Sequence, residues 1–167
     1  MKKIGLLLML SFWFGNIMAQ DQDFSFLKGV KEFSVEMDYS QTRFDRKLAE
    51  DFFMIQNNRN PKWEATYKKE MLLKFMVNAN SYLPDGCRIR ENSQNAEYKI
   101  IVKVITLNEN KDTNAEILIT KINSSEVLAK FSVYGKAGKY GTYANLSGDA
   151  MQKIGKEAGL FLAKRVE

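Results

Sequence analysis

Three strand-like runs follow one another between residues 98 and 134, and this stretch restricts the possible folds more than any other part of the sequence. The runs cover residues 98–107, 114–122 and 127–134, with short polar turns between them. Strands joined by short turns pair in antiparallel fashion, because a parallel pair needs a long crossover connection. The first run has apolar residues on both of its faces, which predicts a central position in the sheet.

Two amphipathic helices require a surface to cover. The first lies within residues 60–83, where Asn60 can cap the helix and Pro61 suits its first turn. The second is predicted to begin at Ser147, a residue type that is favoured at helix starts. Apolar residues recur at helical spacing in both, as Trp63, Tyr67, Met71, Phe75 and Ala79 in the first helix and as Met151, Ile154, Ala158, Leu162 and Val166 in the second.

Gly155 and Gly159 lie four residues apart on the second helix. In an apolar membrane segment this spacing would indicate helix pairing, but Lys153, Lys156 and Glu157 exclude such a segment here. We therefore expect the two glycines to let the helix pack closely on the sheet.

The remaining elements complete the predicted order of strands and helices. Residues 30–39 alternate between apolar and polar side chains, which is typical of a half-buried strand, and residues 87–91 predict a second, shorter strand. A short helix is predicted between them from apolar residues at helical spacing, namely Phe44, Leu48, Phe52 and Ile55. This order predicts an α+β fold, a two-layer sandwich in which two or three helices cover one face of a mainly antiparallel sheet of about five strands.

Residues 1–19 have the layout of a secretory signal peptide. Lys2 and Lys3 form a positive start, an apolar stretch follows, and the small residue Ala19 precedes a polar one. The apolar stretch is much shorter than the roughly 20 residues that a membrane-spanning helix needs, which disfavours the alternative of an uncleaved anchor. The sequence predicts cleavage after Ala19 and a mature chain of residues 20–167 that forms one α+β domain without a transmembrane segment.

Charge and composition exclude several classes of function. Loss of Lys2 and Lys3 with the leader lowers the formal net charge from +5 to +3, an excess too small to indicate nucleic-acid binding. The chain has no histidine, which excludes histidine-based triads and histidine metal sites. Its only cysteine, Cys87, is expected to be a buried apolar side chain. We expect no enzymatic activity, no metal and no cofactor.

The basic, glycine-rich segment 135–145 is the most suggestive stretch for binding. It leads into the last helix, whose N-terminal backbone N–H groups could hold an anion, but it has neither P-loop nor dinucleotide spacing. The candidate binding residues are Lys136, Lys139, Tyr140 and Tyr143. The alternative is a strand-to-helix connection whose glycines permit unusual dihedral angles.

Several short motifs resemble a family of exported, uncharacterised proteins of diderm bacteria. They are Asn60-Pro61-Lys62-Trp63 opening a long helix, Asn95-Ala96-Glu97-Tyr98 leading a strand, Val127-Leu128-Ala129-Lys130 in a hairpin, and Gly135-Lys136 to Gly141 before the last helix. In outline the chain is also similar to the periplasmic domains of the curli-secretion lipoprotein and of lipoprotein activators of penicillin-binding proteins. In those proteins a segment like Ser125-Glu126-Val127-Leu128-Ala129 precedes a glycine-rich loop and a last helix.

This resemblance implies a fold and a compartment more than an activity. The lipoproteins carry an acylated cysteine at the mature start, where this chain has Gln20. No catalytic residue is transferred. We expect an exported protein of the periplasm or cell surface, a non-catalytic binding or assembly module whose partner is an envelope protein or glycan. The alternative is a small-ligand or anion-binding protein, or an enzyme, that uses the 135–145 loop.

Overall fold

The computed structural model describes residues 23–167, so the predicted signal peptide and its cleavage point lie outside the described residues. A short 3₁₀ turn at Ser25–Leu27 precedes seven strands and three helices. The strands are β1 (Glu32–Asp38), β2 (Arg43–Phe44), β3 (Lys47–Leu48), β4 (Arg88–Glu91), β5 (Tyr98–Leu107), β6 (Thr113–Lys121) and β7 (Val127–Gly135). The helices are α1 (Ala49–Arg59), α2 (Trp63–Asn80) and α3 (Tyr143–Val166).

The strands form a single mixed sheet with β5 near its centre. Across the sheet the order is β4, β1, β5, β6 and β7. Strand β2 of the β2–β3 hairpin pairs with the same edge of β5 as β1 does, farther along that strand. β1 pairs with β5 up to Lys103, whereas β2 pairs with Thr106 and Leu107 near the end of the same strand. The central position that the apolar faces of β5 predict is confirmed.

The predicted α+β sandwich is confirmed, and within residues 23–167 its sheet is mixed and has seven strands where about five were expected. β5, β6 and β7 pair antiparallel as their short turns require, whereas β1 is parallel to both β4 and β5. The helices α1 and α2 supply the long crossover that makes β1 and β4 parallel. Residues 92–97 then cross from one side of β1 to the other, so β5 also runs parallel to it.

The core lies between one face of this sheet and the helices. On β5 the residues Tyr98, Ile100, Val102 and Val104 are at most 5% exposed, while the side chains between them are half-buried on the opposite face. The helical stripes meet this face, and all predicted members are buried except half-buried Trp63. No helix among residues 23–167 has the length and apolar character needed to cross a membrane.

The glycine pair of α3 packs against α2 and not against the sheet, which corrects our expectation. A Cβ atom on Gly155 would lie 2.4 Å from the carbonyl oxygen of Phe75, and one on Gly159 would lie 2.4 Å from that of Ala79. Because both oxygens are backbone atoms of α2, only a missing side chain lets the two helices approach this closely.

All three helices begin at other residues than predicted. Phe44 and Leu48 belong to the strands β2 and β3, because the chain turns at Asp45 (φ 55°) before α1 begins at Ala49. Leu48 is 49% exposed and so does not join the buried stripe predicted for that helix.

The helix α2 begins at Trp63, so Lys62 and not the predicted Asn60 precedes it, and no side chain caps it. The helix α3 starts before the predicted Ser147, and the side chain of Thr142 accepts a hydrogen bond there from the backbone N–H of Asn145 at 3.3 Å. Ser147 is instead buried inside the helix.

Candidate functional site

The four candidate residues of the 135–145 segment do not surround a common concavity. Tyr140 is 90% exposed, and Lys136 and Lys139 are also exposed. Tyr143 lies in the first turn of α3 and points into the protein interior, where its ring is 5.2 Å from that of Phe52. The sequence pattern placed these side chains together, but the early start of α3 turns Tyr143 away from the others.

Internal hydrogen bonds account for the course of this loop. The carboxylate of Asp112, in the turn before β6, accepts hydrogen bonds from the backbone N–H of Ala137 and from the hydroxyl of Tyr134, both at 2.8 Å. These two bonds hold the pKa of Asp112 below its usual value, the backbone one most strongly. The carbonyl oxygen of Lys136 accepts a further bond from the Lys153 ammonium at 2.7 Å.

A cluster of seven aromatic residues lies where the helices meet the ends of β1 and β2. Its rings come from β2, from all three helices and from the residue that follows β1. In the tightest contacts, Phe44 stacks on Phe52 at 4.3 Å and Trp63 stacks on Tyr67 at 4.7 Å. The members of this aromatic cluster are Tyr39, Phe44, Phe52, Phe53, Trp63, Tyr67 and Tyr143.

Two hydroxyl groups inside the aromatic cluster have no hydrogen-bond partner. They belong to Tyr39 and Tyr143, whereas the hydroxyl of Tyr67 interacts with Ser147. Burial raises the pKa of all three phenols well above the usual value, and proximity to Tyr67 adds to the effect at the other two. Like ordinary tyrosines, the three phenols are neutral near pH 7, and burial moves their ionisation to still higher pH.

Removal of the unpaired hydroxyl in Tyr39→Phe is expected to leave the free energy of unfolding unchanged or to raise it by up to about 1 kcal/mol, because a buried polar group without a partner is destabilising. The matched variant Tyr67→Phe loses a paired hydroxyl and is expected to lower the free energy of unfolding by about 1 kcal/mol. Urea unfolding followed by Trp63 fluorescence measures both. A clear loss of stability in Tyr39→Phe would show that its hydroxyl has a partner.

A groove opens beside the aromatic cluster, at the carboxyl ends of the parallel strands β1 and β4. Its two parts have volumes of about 640 and 520 Å³, and both are lined by Met37, Tyr39 and Lys68. Ligands of open sheets that contain parallel strands commonly bind outside the carboxyl ends of those strands. We call this depression the β1–α2 groove, and its other principal lining residues are Glu36, Glu50, Phe53, Met54, Asn57, Glu64, Leu72 and Glu91.

Lys68 divides the groove and lies over its aromatic wall. Its ammonium is 4.8 Å from the centre of the Phe53 ring and 5.8 Å from that of Tyr39, both within the range of a cation–π interaction. It also donates to Glu64 at 2.6 Å, which holds the pKa of that carboxyl below its usual value. Asn57 fixes the same carboxylate from α1 at 2.9 Å. The helices α1 and α2 are thus joined at the rim of the groove.

The surface of the groove combines negative charge with adaptable apolar side chains. Four carboxylates line it against the ammonium groups of Lys68 and Lys69. Glu64 is paired with Lys68 and Glu36 with Lys99, whereas Glu50 and Glu91 form no salt bridge within residues 23–167. Met54 is 56% exposed and Met37 is half-buried, so flexible methionines supply open apolar surface. Among residues 23–167, no three His, Cys, Asp or Glu side chains are grouped so that they could hold a metal ion. The arrangement suits a ligand that is apolar and positively charged.

Sequence reasoning missed this site because its residues come from distant parts of the chain. Met37, Lys68 and Glu91 belong to three separate elements, and no motif or spacing links them. The one signal available was the strand-like alternation that ends at Tyr39, just before a predicted helix. That signal indicates where a strand stops, but it does not say which helices reach it.

Comparison with protein families finds no family that matches the chain, and no curated protein matches it either. Solved structures that are similar to it include two forms of the PelC dodecamer. The PelC dodecamer from Paraburkholderia phytofirmans in space group P6 has 10% sequence identity and a TM-score of 0.42, over 84% of this chain and 91% of that chain. A single-substitution variant of the PelC dodecamer from the same organism, in space group C2, has 9% identity and a TM-score of 0.39, over 84% and 92%. Neither likeness carries an argument about what this chain binds or does.

Proposed function

We propose that this chain is an exported, non-catalytic binding module of the bacterial envelope, and that the β1–α2 groove receives a basic, amphipathic segment of an envelope protein. The leader-like residues 1–19 support export to the periplasm or cell surface. The observation that carries the proposal is the exposed apolar side chain of Met54 in a groove where the carboxylates of Glu50 and Glu91 form no salt bridge within residues 23–167.

The carboxylates of the groove support a cationic partner. Within residues 23–167, Glu50 and Glu91 line the groove and form no salt bridge, so they offer a favourable field to a cation. The methionines at positions 37 and 54 offer apolar contact to a segment of variable shape, because their unbranched side chains adapt to different partners.

A protein segment fits this surface better than a glycan does. Sugar rings pack against exposed aromatic faces, but Tyr39 and Phe53 are each only 5% exposed and Lys68 covers them. The accessible apolar surface comes from the side chains of Met54 and Met37 instead. An amphipathic peptide with lysine or arginine beside its apolar face matches both features of the groove.

Two synthetic amphipathic peptides of equal length, one of Leu and Lys and one of Leu and Glu, test this proposal. The Leu/Lys peptide is expected to bind and to shift the methyl NMR signals of Met37 and Met54, whereas the Leu/Glu peptide is not. Met54→Lys removes apolar surface and adds a repelling charge, so binding should weaken by about tenfold or more. Leu73→Lys makes the same change at a similarly exposed position outside the groove and should leave binding unchanged.

Three outcomes would contradict the proposal. They are equal binding of both peptides, equal loss in both variants, and shifts confined to residues outside the groove. Capture of the chain on an envelope glycan fraction, abolished by Met54→Lys and retained by Leu73→Lys, would assign the groove to a glycan and overturn the protein partner.

A further inference from the structure

A second groove runs along the far edge of the sheet, between β7 and α3. Among residues 23–167, β7 pairs with β6 alone, so its other edge faces outwards. Alternate backbone N–H and C=O groups on such an edge can accept another strand. The groove beside it has a volume of about 400 Å³. We call it the β7–α3 groove, and its lining residues include Phe131, Val133, Glu157, Leu160, Phe161 and Lys164.

The floor of this groove is apolar and only partly covered. The rings of Phe131 on β7 and Phe161 on α3 stack with their centres 3.7 Å apart, and both side chains remain half-buried. Val133 and Leu160 extend the same surface and are also half-buried. Phe24 meets Phe161 edge to face with ring centres 5.1 Å apart, and the guanidinium of Arg165 lies 3.5 Å from the centre of the Phe161 ring. This edge therefore presents apolar side chains next to backbone groups that can pair.

Two of the three charged residues that line the groove lie symmetrically on α3 about its apolar floor, and the third, Arg165, lies over the Phe161 ring. Glu157 and Lys164 are both exposed and lie about two turns apart on the same strip of the helix, with Leu160 and Phe161 between them. When two such helices lie antiparallel across a two-fold axis, each residue contacts its counterpart reciprocally. An axis between Leu160 and Phe161 places Glu157 of each copy opposite Lys164 of the other.

The same axis also suits the strand. Since Phe131 stacks on Phe161, an axis near Phe161 passes close to Phe131, in the middle of β7. Two β7 strands centred on Phe131 can pair in antiparallel fashion. Directly opposite residues of such a pair lie on the same face of the sheet, so the core-side residues of both copies lie on one face. Strand and helix therefore point to one and the same symmetry.

From this self-complementarity we infer that the β7–α3 groove is the interface of a two-fold symmetric homodimer, in which β7 pairs with β7 of a second copy and the sheet continues across both subunits. A second copy satisfies the backbone edge, the apolar floor and the alternating charges together. This interface lies at the opposite edge of the sheet from the β1–α2 groove. The inference is therefore independent of the proposed function.

Charge reversal tests the dimer and its register. Sedimentation velocity of the purified chain is expected to show a dimer that dissociates on dilution. Glu157→Lys and Lys164→Glu each put like charges opposite one another twice per dimer, and each should raise the dissociation constant by about tenfold or more. The double variant Glu157→Lys/Lys164→Glu restores opposite charges and should return the constant to within about threefold of the original. Lys156→Glu, on α3 outside the groove, is the control and should dimerise normally.

Several results would overturn the inference. A chain that stays monomeric at high concentration has no such interface, and an assembly larger than a dimer excludes a closed two-fold contact. A dissociation constant unchanged in both single variants, or a double variant weaker than either of them, would exclude the proposed register. Circular dichroism of every variant separates weakened dimerisation from loss of fold.

Discussion

Replacement of Gly155 by alanine is expected to lower the free energy of unfolding by about 2–3 kcal/mol. The new methyl group would lie 2.4 Å from the carbonyl oxygen of Phe75 and 3.1 Å from its carbonyl carbon and Cα. These are backbone atoms inside α2, so no flexible side chain can move aside, and the helices α2 and α3 must separate to relieve the overlap. Separation exposes or loosens the buried stripe along both helices. Urea unfolding followed by circular dichroism measures the change.

Gly159→Ala should behave in the same way, because its Cβ would meet the carbonyl oxygen of Ala79 at 2.4 Å. Both clashes are relieved by the same movement of one helix from the other, so the double variant should be less destabilised than the sum of the single variants. Gly148→Ala is the matched control on α3. Its nearest neighbours would be side-chain atoms at 3.6 Å or more, and alanine favours a helix over glycine, so stability should be unchanged or slightly higher. A loss below about 0.5 kcal/mol for Gly155→Ala would contradict the close approach of the helices.

Replacement of Phe44 by alanine is expected to lower the free energy of unfolding by about 3–5 kcal/mol. Its ring is fully buried, and it is the member of the aromatic cluster that connects β2 to α1. It stacks on Phe52 at 4.3 Å and meets Phe53 edge to face at 5.1 Å. Strand β2 is only two residues long, so this ring does more to hold the hairpin on the sheet than its backbone pairing does. Phe44→Leu refills most of the space and should lose less than half as much stability.

The loss should be unevenly distributed over the fold. Amide hydrogen exchange is expected to accelerate most in β2, β3 and α1, because these elements contact the cluster and make few other contacts with the sheet. The β5–β6–β7 part should stay protected until global unfolding, since its long antiparallel ladders do not depend on Phe44. Uniform acceleration in every strand would show instead that the aromatic cluster and the sheet unfold as one unit.

Local patterns predicted those strands and helices in which apolar residues repeat at regular spacing along the chain. Strand β5 spans the residues that its composition indicates, and the apolar stripes of α2 and α3 are the ones that the helical spacing predicts. Cys87 is buried, as predicted, although it lies just before β4 and not within it, and burial raises the pKa of its thiol. These features follow from side chains two, three or four positions apart, which the sequence records directly.

By itself, the sequence determined that β1 and β4 to β7 become strands, that α2 and α3 become helices with buried apolar stripes, and that these helices cover a sheet. Only the tertiary structure decided that β1 runs parallel to its neighbours, that the α3 glycines meet α2, and that Tyr143 turns into the aromatic cluster. It also decided where the β1–α2 groove lies. The physical reason is the sequence separation of the residues involved. Periodicity reflects which residues of a single element share a face. Strand direction, helix contacts and groove lining depend on pairs of residues far apart in sequence, and such pairs produce no periodic pattern.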